Sequence, residues 1–459
     1  MTFSPYQTGD FHERATLYSE DIDTVSPGAG SKGCYCGVSA FRHHPVQEGI
    51  KQNTLSPDAR FWWDITGDIL QKLASYSGYR EPSTRNALEF YYRYIVESLG
   101  PKPSLHADVP SWRSFMTDDF SPVEFSWHWG LSDVTPEKRI RFSIEAIGKA
   151  AGSTIDSWNT SVSMNLVERL EQRFPSMKLD LFRRLAQDFI AETVPRDSMP
   201  ICPANASPST LFLGFELSNM DPTMKAYFLP TAKALQTGQS TVEIITKSMV
   251  TLAEDLGWAS LSSLVPDLQE YGQSLGLQPF MIAIDCVELS RARMKIYVRS
   301  QDTSFVGVKR VMTMFDQPTT VAKGLRDLKL LWQLVFDQDQ GFDETERLPH
   351  KLHETSGILY YLEVRPKSMK KTVKVYLPVK HYAPDDFAVV EGLCQFFDKT
   401  NSPQRYITPS FAQALNEICQ YRRLHDGRGL QTYLSCIIKD NALDLCSYLS
   451  PEIYHLNRG

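Results

Sequence analysis

Arg293-Met294-Lys295-Ile296-Tyr297 constrains this chain more than any other stretch. Read as a strand, its alternate side chains share a face. Arg293, Lys295 and Tyr297 form one ridge, with two cations and a phenol. Met294, Ile296 and Val298 form the apolar face opposite. The usual half-buried strand has an apolar core face and a polar solvent face. Here the cationic face reads as interior and the apolar face as a covered exterior. That arrangement describes a wet, positively charged chamber that holds an anion.

The pattern recurs in strand context. Lys225 and Tyr227 stand in MKAYFLP, Lys374 and Tyr376 in VKVYLPV, and Cys446 and Tyr448 in LCSYLSP, where the cation is missing. Lys225 and Lys295 are 70 residues apart, Lys295 and Lys374 are 79, and Tyr376 and Tyr448 are 72. One K-x-Y carries no information. The same strand at near-equal long spacing marks a repeated supersecondary unit.

The chain between these strands fits that reading. Residues 1–50 are rich in Ser, Gly, Pro and charge and read as a flexible or loosely packed extension. From Phe61 the apolar spacing is helical, in two helices, with Ser83 expected to cap the second. SPVEFSWHW and IRFSIEAIG read as a hairpin that carries Glu124 on one strand and Arg141 on the other. Four more hairpins follow, each after a helical stretch: LFLGFEL/MKAYFLP, FMIAIDC/RMKIYVRS, GILYYLEVR/TVKVYLPV and LQTYLSCII/ALDLCSYLS. Ten antiparallel strands in repeated α-β-β-α units have one economical solution, a closed barrel wrapped by helices. Closure removes exposed edges. Ten strands enclose more space than the eight whose side chains just fill a barrel. The fold class is therefore α+β, with residues 51–459 as a single domain around a solvent-filled chamber.

Bulk properties exclude several functions. A net charge of −6 argues against a nucleic-acid footprint. Eight cysteines in 459 residues are too dilute for a disulfide scaffold. Cys34-x-Cys36 lacks a partner pair for zinc, and His43, His44 and His381 show no ligand spacing. No apolar run approaches a membrane span, and no signal-peptide core opens the chain. The expectation is a cytoplasmic protein with small-molecule partners, as a monomer or homodimer.

The motifs FMTDDFSPVEFSW, IRFSIEAIG, MKAYFLP, SRARMKIYV, VKVYLPVKHY and LQTYLS…CSYLSP cover about residues 55–455 in order. In these the chain resembles the dimethylallyltryptophan-synthase-type aromatic prenyltransferases of fungal secondary metabolism, whose fold is the helix-wrapped prenyltransferase (ABBA) barrel. The resemblance implies transfer of a dimethylallyl group from dimethylallyl diphosphate to an electron-rich aromatic acceptor. It assigns Arg141, Lys225, Arg293, Lys295 and Lys374 to the diphosphate, with Gln431 from the last hairpin. The family often has Gln where Lys374 stands. It assigns Tyr227, Tyr297, Tyr376, Tyr433 and Tyr448 to a shield around the allylic cation, whose charge tyrosine faces stabilise. Pro122-x-Glu124-x-Ser126 matches the family motif whose Glu accepts the acceptor's N–H or O–H proton. Met116, Phe212 and Phe280, with Glu124, are expected to bind the acceptor.

No D-D-x-x-D motif is present. Asp118-Asp119 and Asp385-Asp386 both lack the later acid that would carry Mg²⁺. Asp118 and Asp119 read as turn or cap residues. The expectation is catalysis without a metal or other cofactor. Tryptophan-using members hold the substrate carboxylate with an Arg, and Phe280 stands at the counted position. Phe212 stands where they carry a Lys. Two phenylalanines favour a bulky neutral acceptor, an indole alkaloid or indole diterpenoid. Cyclic tryptophan dipeptides and polyketide-derived phenols such as xanthones are the alternatives. From another class, a binding protein of the same fold would hold such ligands without turnover.

Overall fold

The computed structural model describes residues 55–103, 112–130, 139–192, 209–217, 221–316 and 319–458. The extension expected over residues 1–50, with Cys34, Cys36, His43 and His44, lies outside them. Ten strands form the hairpins β1 (Val123–His128) and β2 (Ile140–Ile144), β3 (Leu211–Glu216) and β4 (Thr223–Phe228), β5 (Gln278–Asp285) and β6 (Met294–Ser300), β7 (Ile358–Arg365) and β8 (Ser368–Leu377), and β9 (Gln431–Lys439) and β10 (Ala442–Leu449). Every neighbouring pair is antiparallel, and β1 also pairs with β10, with Ser126 opposite Tyr448. The sheet is a closed barrel in chain order.

The two faces of each strand separate as the alternation predicts. Met294, Ile296 and Val298 are fully buried on the outside of β6, with Ile282 and Ile284 beside them on β5. The helices Thr241–Leu256 and Ala259–Ser274 follow β4, and Ala322–Val335 and Asp386–Lys399 lie farther along the chain. Their apolar stripes join the outward strand residues in one large core. Each fully buried aliphatic side chain contributes roughly 1.5–3 kcal/mol. A second, separate apolar cluster lies inside the barrel, with Phe212, Met281, Tyr297, Tyr361 and Tyr376 at its centre. Among the described residues no helix is long and apolar enough to cross a membrane.

Local chemistry sets the helix ends. Ser240 opens Thr241–Leu256 with a reciprocal capping box to Glu243. Asp385 caps Asp386–Lys399 by accepting from the Ala388 amide at 2.7 Å. Ser83 does not cap its helix. Glu81–Phe90 begins earlier, behind Arg80, because Pro82 suits the first turn, where no amide partner is needed.

Candidate active site

Three successive inward positions on β6, Lys295, Tyr297 and Arg299, define three tiers of the chamber. Two residues of strand rise about 6.6 Å, so the outer tiers stand roughly 13 Å apart. The first tier is charged. Lys225 on β4 forms an ion pair with Glu216, and Arg141 on β2 places Nε 3.1 Å from the same carboxylate. Arg293 pairs with Asp285, and Lys295 lies 3.3 Å from that carboxylate's other oxygen. Glu363 sits 3.9 Å from Arg293. His128 reaches Asp444 at 2.6 Å. The chamber is thus not the unopposed positive cradle that the lysine pattern predicts. Glu216, Asp285, Glu363 and Asp444 occupy inward positions on the other strands of the barrel, β3, β5, β7 and β10, and the first three hold most of the cations in fixed geometry. Lys374 differs: among the described residues it has no carboxylate within 4 Å. Its ammonium lies 5.9 Å from the Tyr361 ring centre and 5.5 Å from that of Tyr376.

Burial dominates the ionisation of these groups. It lowers Lys225 to about 8, against the opposing pull of Glu216. It also lowers Lys374. Glu216 and Asp285 resist the same desolvation and are held below the usual carboxylate range by the surrounding cations.

The second tier is tyrosine. Tyr227 and Tyr297 have ring centres 6.1 Å apart, Tyr297 and Tyr376 6.0 Å, Tyr376 and Tyr448 5.6 Å, and Tyr376 and Tyr433 6.1 Å. All five phenols assigned by resemblance line one cavity. A sixth, Tyr361 on β7, stands opposite Tyr297 in register and 5.6 Å away between ring centres. It lies outside any K-x-Y, but its inward parity follows from the β7 alternation. Burial raises the hydroxyls of Tyr297, Tyr376 and Tyr448 well above their usual range, so they stay protonated donors. Gly214 makes room for Tyr227. A Cβ there would stand 3.0 Å from the ring and 3.2 Å from the hydroxyl.

The third tier holds Glu124. It lines the cavity with Met116, Phe212 and Phe280, the residues expected beside it, and with Met281 and Leu359. Its carboxylate accepts from Thr432 Oγ1 at 2.7 Å. Burial pushes it up to about 7, in spite of that hydrogen bond and the nearby Lys380 ammonium. A carboxylate poised near neutrality suits proton transfer.

Gln431 is not in the chamber. The alternation of β9 puts it inside with Tyr433, but a bulge sets both Thr432 and Tyr433 against Tyr448 and reverses the parity. Gln431 turns outward, donates to the Asp386 carbonyl at 2.7 Å and is 1 % exposed. The same bulge brings Thr432 to Glu124. A bulge at Pro279–Met281 likewise turns both Phe280 and Met281 into the cavity.

Two cations in this tier fall outside the K-x-Y pattern. Arg299 lines the cavity, lies 5.3 Å from the Phe280 ring centre, and donates to the carbonyls of Thr355 and Ser356 at 2.6 and 3.1 Å. Lys380, in the short helix Val379–Tyr382 after β8, lines the same cavity 4.7 Å from the Tyr433 ring centre. The expectation that two phenylalanines leave this end without a cation therefore fails. Asp119 behaves as the turn residue expected, accepting from Thr117, Ser121 and Ser450. Asp118 does not. It accepts from Lys380 at 2.6 Å and from Thr355 at 3.1 Å. Burial works against its charge, but Lys380, His353 and His381 hold it at about 2.

Asp118, His353 and His381 place ligand atoms within 4.8 Å of one another, a cluster that spacing does not reveal. The Thr355 hydroxyl fills its middle, 2.8 Å from both imidazoles. Lys380 already neutralises the one carboxylate. The cluster forms a hydrogen-bonded hub around Thr355.

Known proteins share this architecture. The chain is 32% identical over 404 residues to 4-O-dimethylallyl-L-tyrosine synthase of Claviceps purpurea, covering 87% of this chain and 89% of the relative. It is 32% identical over 411 residues to 7-dimethylallyltryptophan synthase of Aspergillus fumigatus, covering 86% and 85%. The crystal structure of NotF in complex with brevianamide F and DMSPP superposes with a TM-score of 0.73 at 20% identity, covering 89% of this chain and 98% of that one, which shows the shared fold. The sequence profile described as tryptophan dimethylallyltransferase matches residues 58–408. The chain belongs to that family, the dimethylallyltryptophan-synthase-type aromatic prenyltransferases.

Proposed function

We propose that this enzyme transfers a dimethylallyl group from dimethylallyl diphosphate to an aromatic amino acid, without a metal ion. The order Lys295, Tyr297, Arg299 along one strand carries this reading: an anion end, an aromatic middle and an acceptor end lie in line, with Glu124 in the last tier. Arg141, Lys225, Arg293, Lys295 and Lys374 receive the diphosphate. Its C–O bond breaks heterolytically, and the electron pair leaves with the phosphate oxygen. The tyrosine tier surrounds the allylic cation and excludes water, each ring face contributing roughly 0.5–2 kcal/mol. The acceptor's nucleophilic atom attacks the cation as Glu124 takes the N–H or O–H proton.

Arg299 favours an acceptor that carries an anion. A guanidinium matches a carboxylate through paired donors, and no carboxylate of the described residues lies within 4 Å of it. The two relatives named for L-tyrosine and tryptophan products support the same class. A second reading, a neutral indole alkaloid or diterpenoid, rests on the apolar wall of Met116, Phe212, Phe280 and Met281. The five described cysteines are free, which supports a cytosolic setting.

Competition kinetics in EDTA test this, with L-tyrosine, L-tryptophan, a cyclic tryptophan dipeptide, an indole diterpenoid and a hydroxyxanthone. The highest kcat/KM is expected for one of the two free amino acids. A higher value for a neutral polycycle supports the second reading, and binding without turnover of any acceptor supports a carrier.

A further inference from the structure

Glu124 faces a largely apolar cavity, half-buried on β1, yet a base must be ionised before it can take a proton. Thr432 supplies one hydrogen bond, which a neutral carboxyl could equally accept. The remaining help comes from outside the barrel strands. Lys380 reaches into the cavity from the short helix after β8, and its side chain is 5 % exposed. Asp118, ahead of β1, fixes it at 2.6 Å, and Thr355 fixes Asp118 in turn with His353 and His381 behind it. The three charges alternate: carboxylate, ammonium, carboxylate.

We propose that Lys380, held in place by Asp118, is the positioned counter-charge that keeps Glu124 ionised and so sets the acid limit of turnover. This rests on Glu124 being the base. Several groups around Glu124 and Lys380 keep one charge state near neutrality. Arg299 adds a guanidinium beside the Phe280 ring, burial raises the Tyr448 phenol, and Asp118 stays ionised. Burial lowers His381 to about 3, so it is neutral. Tyr433, beneath Lys380, presents its ring face to the ammonium. Burial disfavours the Lys380 charge, but Asp118 and Tyr433 more than offset this. Lys380 is therefore a positioning residue, protonated throughout, and not itself the base.

Infrared difference titration of the protonated carboxyl C=O band tests this without knowing the acceptor. Glu124→Gln identifies the band by removing it. In Lys380→Met the midpoint is expected to rise by about one pH unit or more, the usual effect of removing an adjacent opposite charge, while Lys380→Arg stays close to wild type. Lys380→Met with Asp118→Asn removes both members of the ion pair, so Asp118 is not left as an unpaired charge. It is expected to fold and to show a rise of the same sign, but smaller. The acid limb of kcat/KM with the acceptor that turns over is expected to follow each shift. An unmoved midpoint in both Met variants overturns the proposal, as does a loss confined to acceptor KM with an unmoved limb. Wild-type turnover in Glu124→Gln would instead remove the base reading on which it rests.

Discussion

The hydroxyls of Tyr297 and Tyr376 lie 3.3 Å apart, although 79 residues separate them in the chain. Each phenol follows its lysine by two positions on a strand of a different hairpin, and the two meet because β6 and β8 flank β7. If these rings shield an allylic cation, ring and hydroxyl are separable. Tyr297→Phe is expected to keep turnover within several-fold of wild type. Tyr297→Leu is expected to release more of the donor as the prenyl alcohol, because water reaches the cation. The ratio of prenylated acceptor to alcohol measures this. An unchanged ratio in the Leu variant would remove the shield role.

If the charged tier receives the diphosphate, donor binding depends on it. Lys225→Ala and Lys295→Ala are each expected to weaken affinity for a non-reactive thio-analogue of dimethylallyl diphosphate by about 10- to 100-fold, the scale of a lost charge-assisted hydrogen bond. Lys374→Met should do the same. Lys374 lacks a carboxylate partner among the described residues, so no buried carboxylate loses its counter-charge in the variant. Calorimetric titration of each variant checks this, and unchanged affinity in both alanine variants rejects the assignment.

Glu124→Gln should retain donor binding and the folded state but lose about 10²-fold or more in kcat, the usual scale of a general base. Glu124 must be ionised to act, and its midpoint is about 7, so wild-type kcat/KM should fall as the pH drops below that value. Lys225 must be protonated to bind the diphosphate and titrates at about 8, so a second decline is expected above it. The resulting bell should lose its acid limb in Glu124→Gln. Turnover within about twofold of wild type would sink the base role.

Chelation offers a separate check. EDTA is expected to leave substantial turnover if the five basic side chains receive the leaving group as proposed. Complete loss, restored by Mg²⁺, would show that Glu216, Asp285 or Glu363 carries a cation with the diphosphate.

The barrel was legible because inward lysines and tyrosines repeat with period two on strands spaced about 70 residues apart. Position after position along β4, β6 and β8 follows from that parity alone. What parity misses is where it breaks. A bulge exchanges Gln431 for Thr432, and the sequence around it, GLQTYL, contains nothing that marks the extra residue. Lys380 was hidden for a different reason. It lies in a four-residue helix, too short for a period to assign a face, and only folding brings it to Asp118. Arg299 was within reach, being the next inward position after Tyr297. The carboxylates Glu216, Asp285 and Glu363 were as well, since each faces its cation across a strand pair.

The most direct test is a crystal structure with the thio-analogue of dimethylallyl diphosphate and an aromatic amino acid bound. The diphosphate is predicted to sit within hydrogen-bonding distance of Lys225, Lys295 and Lys374, with its allyl carbons among Tyr227, Tyr297 and Tyr376, and the acceptor's N–H or O–H directed at Glu124. A diphosphate bridged through a metal ion to Asp285 or Glu363, or an acceptor whose reacting atom lies away from Glu124, would contradict the account.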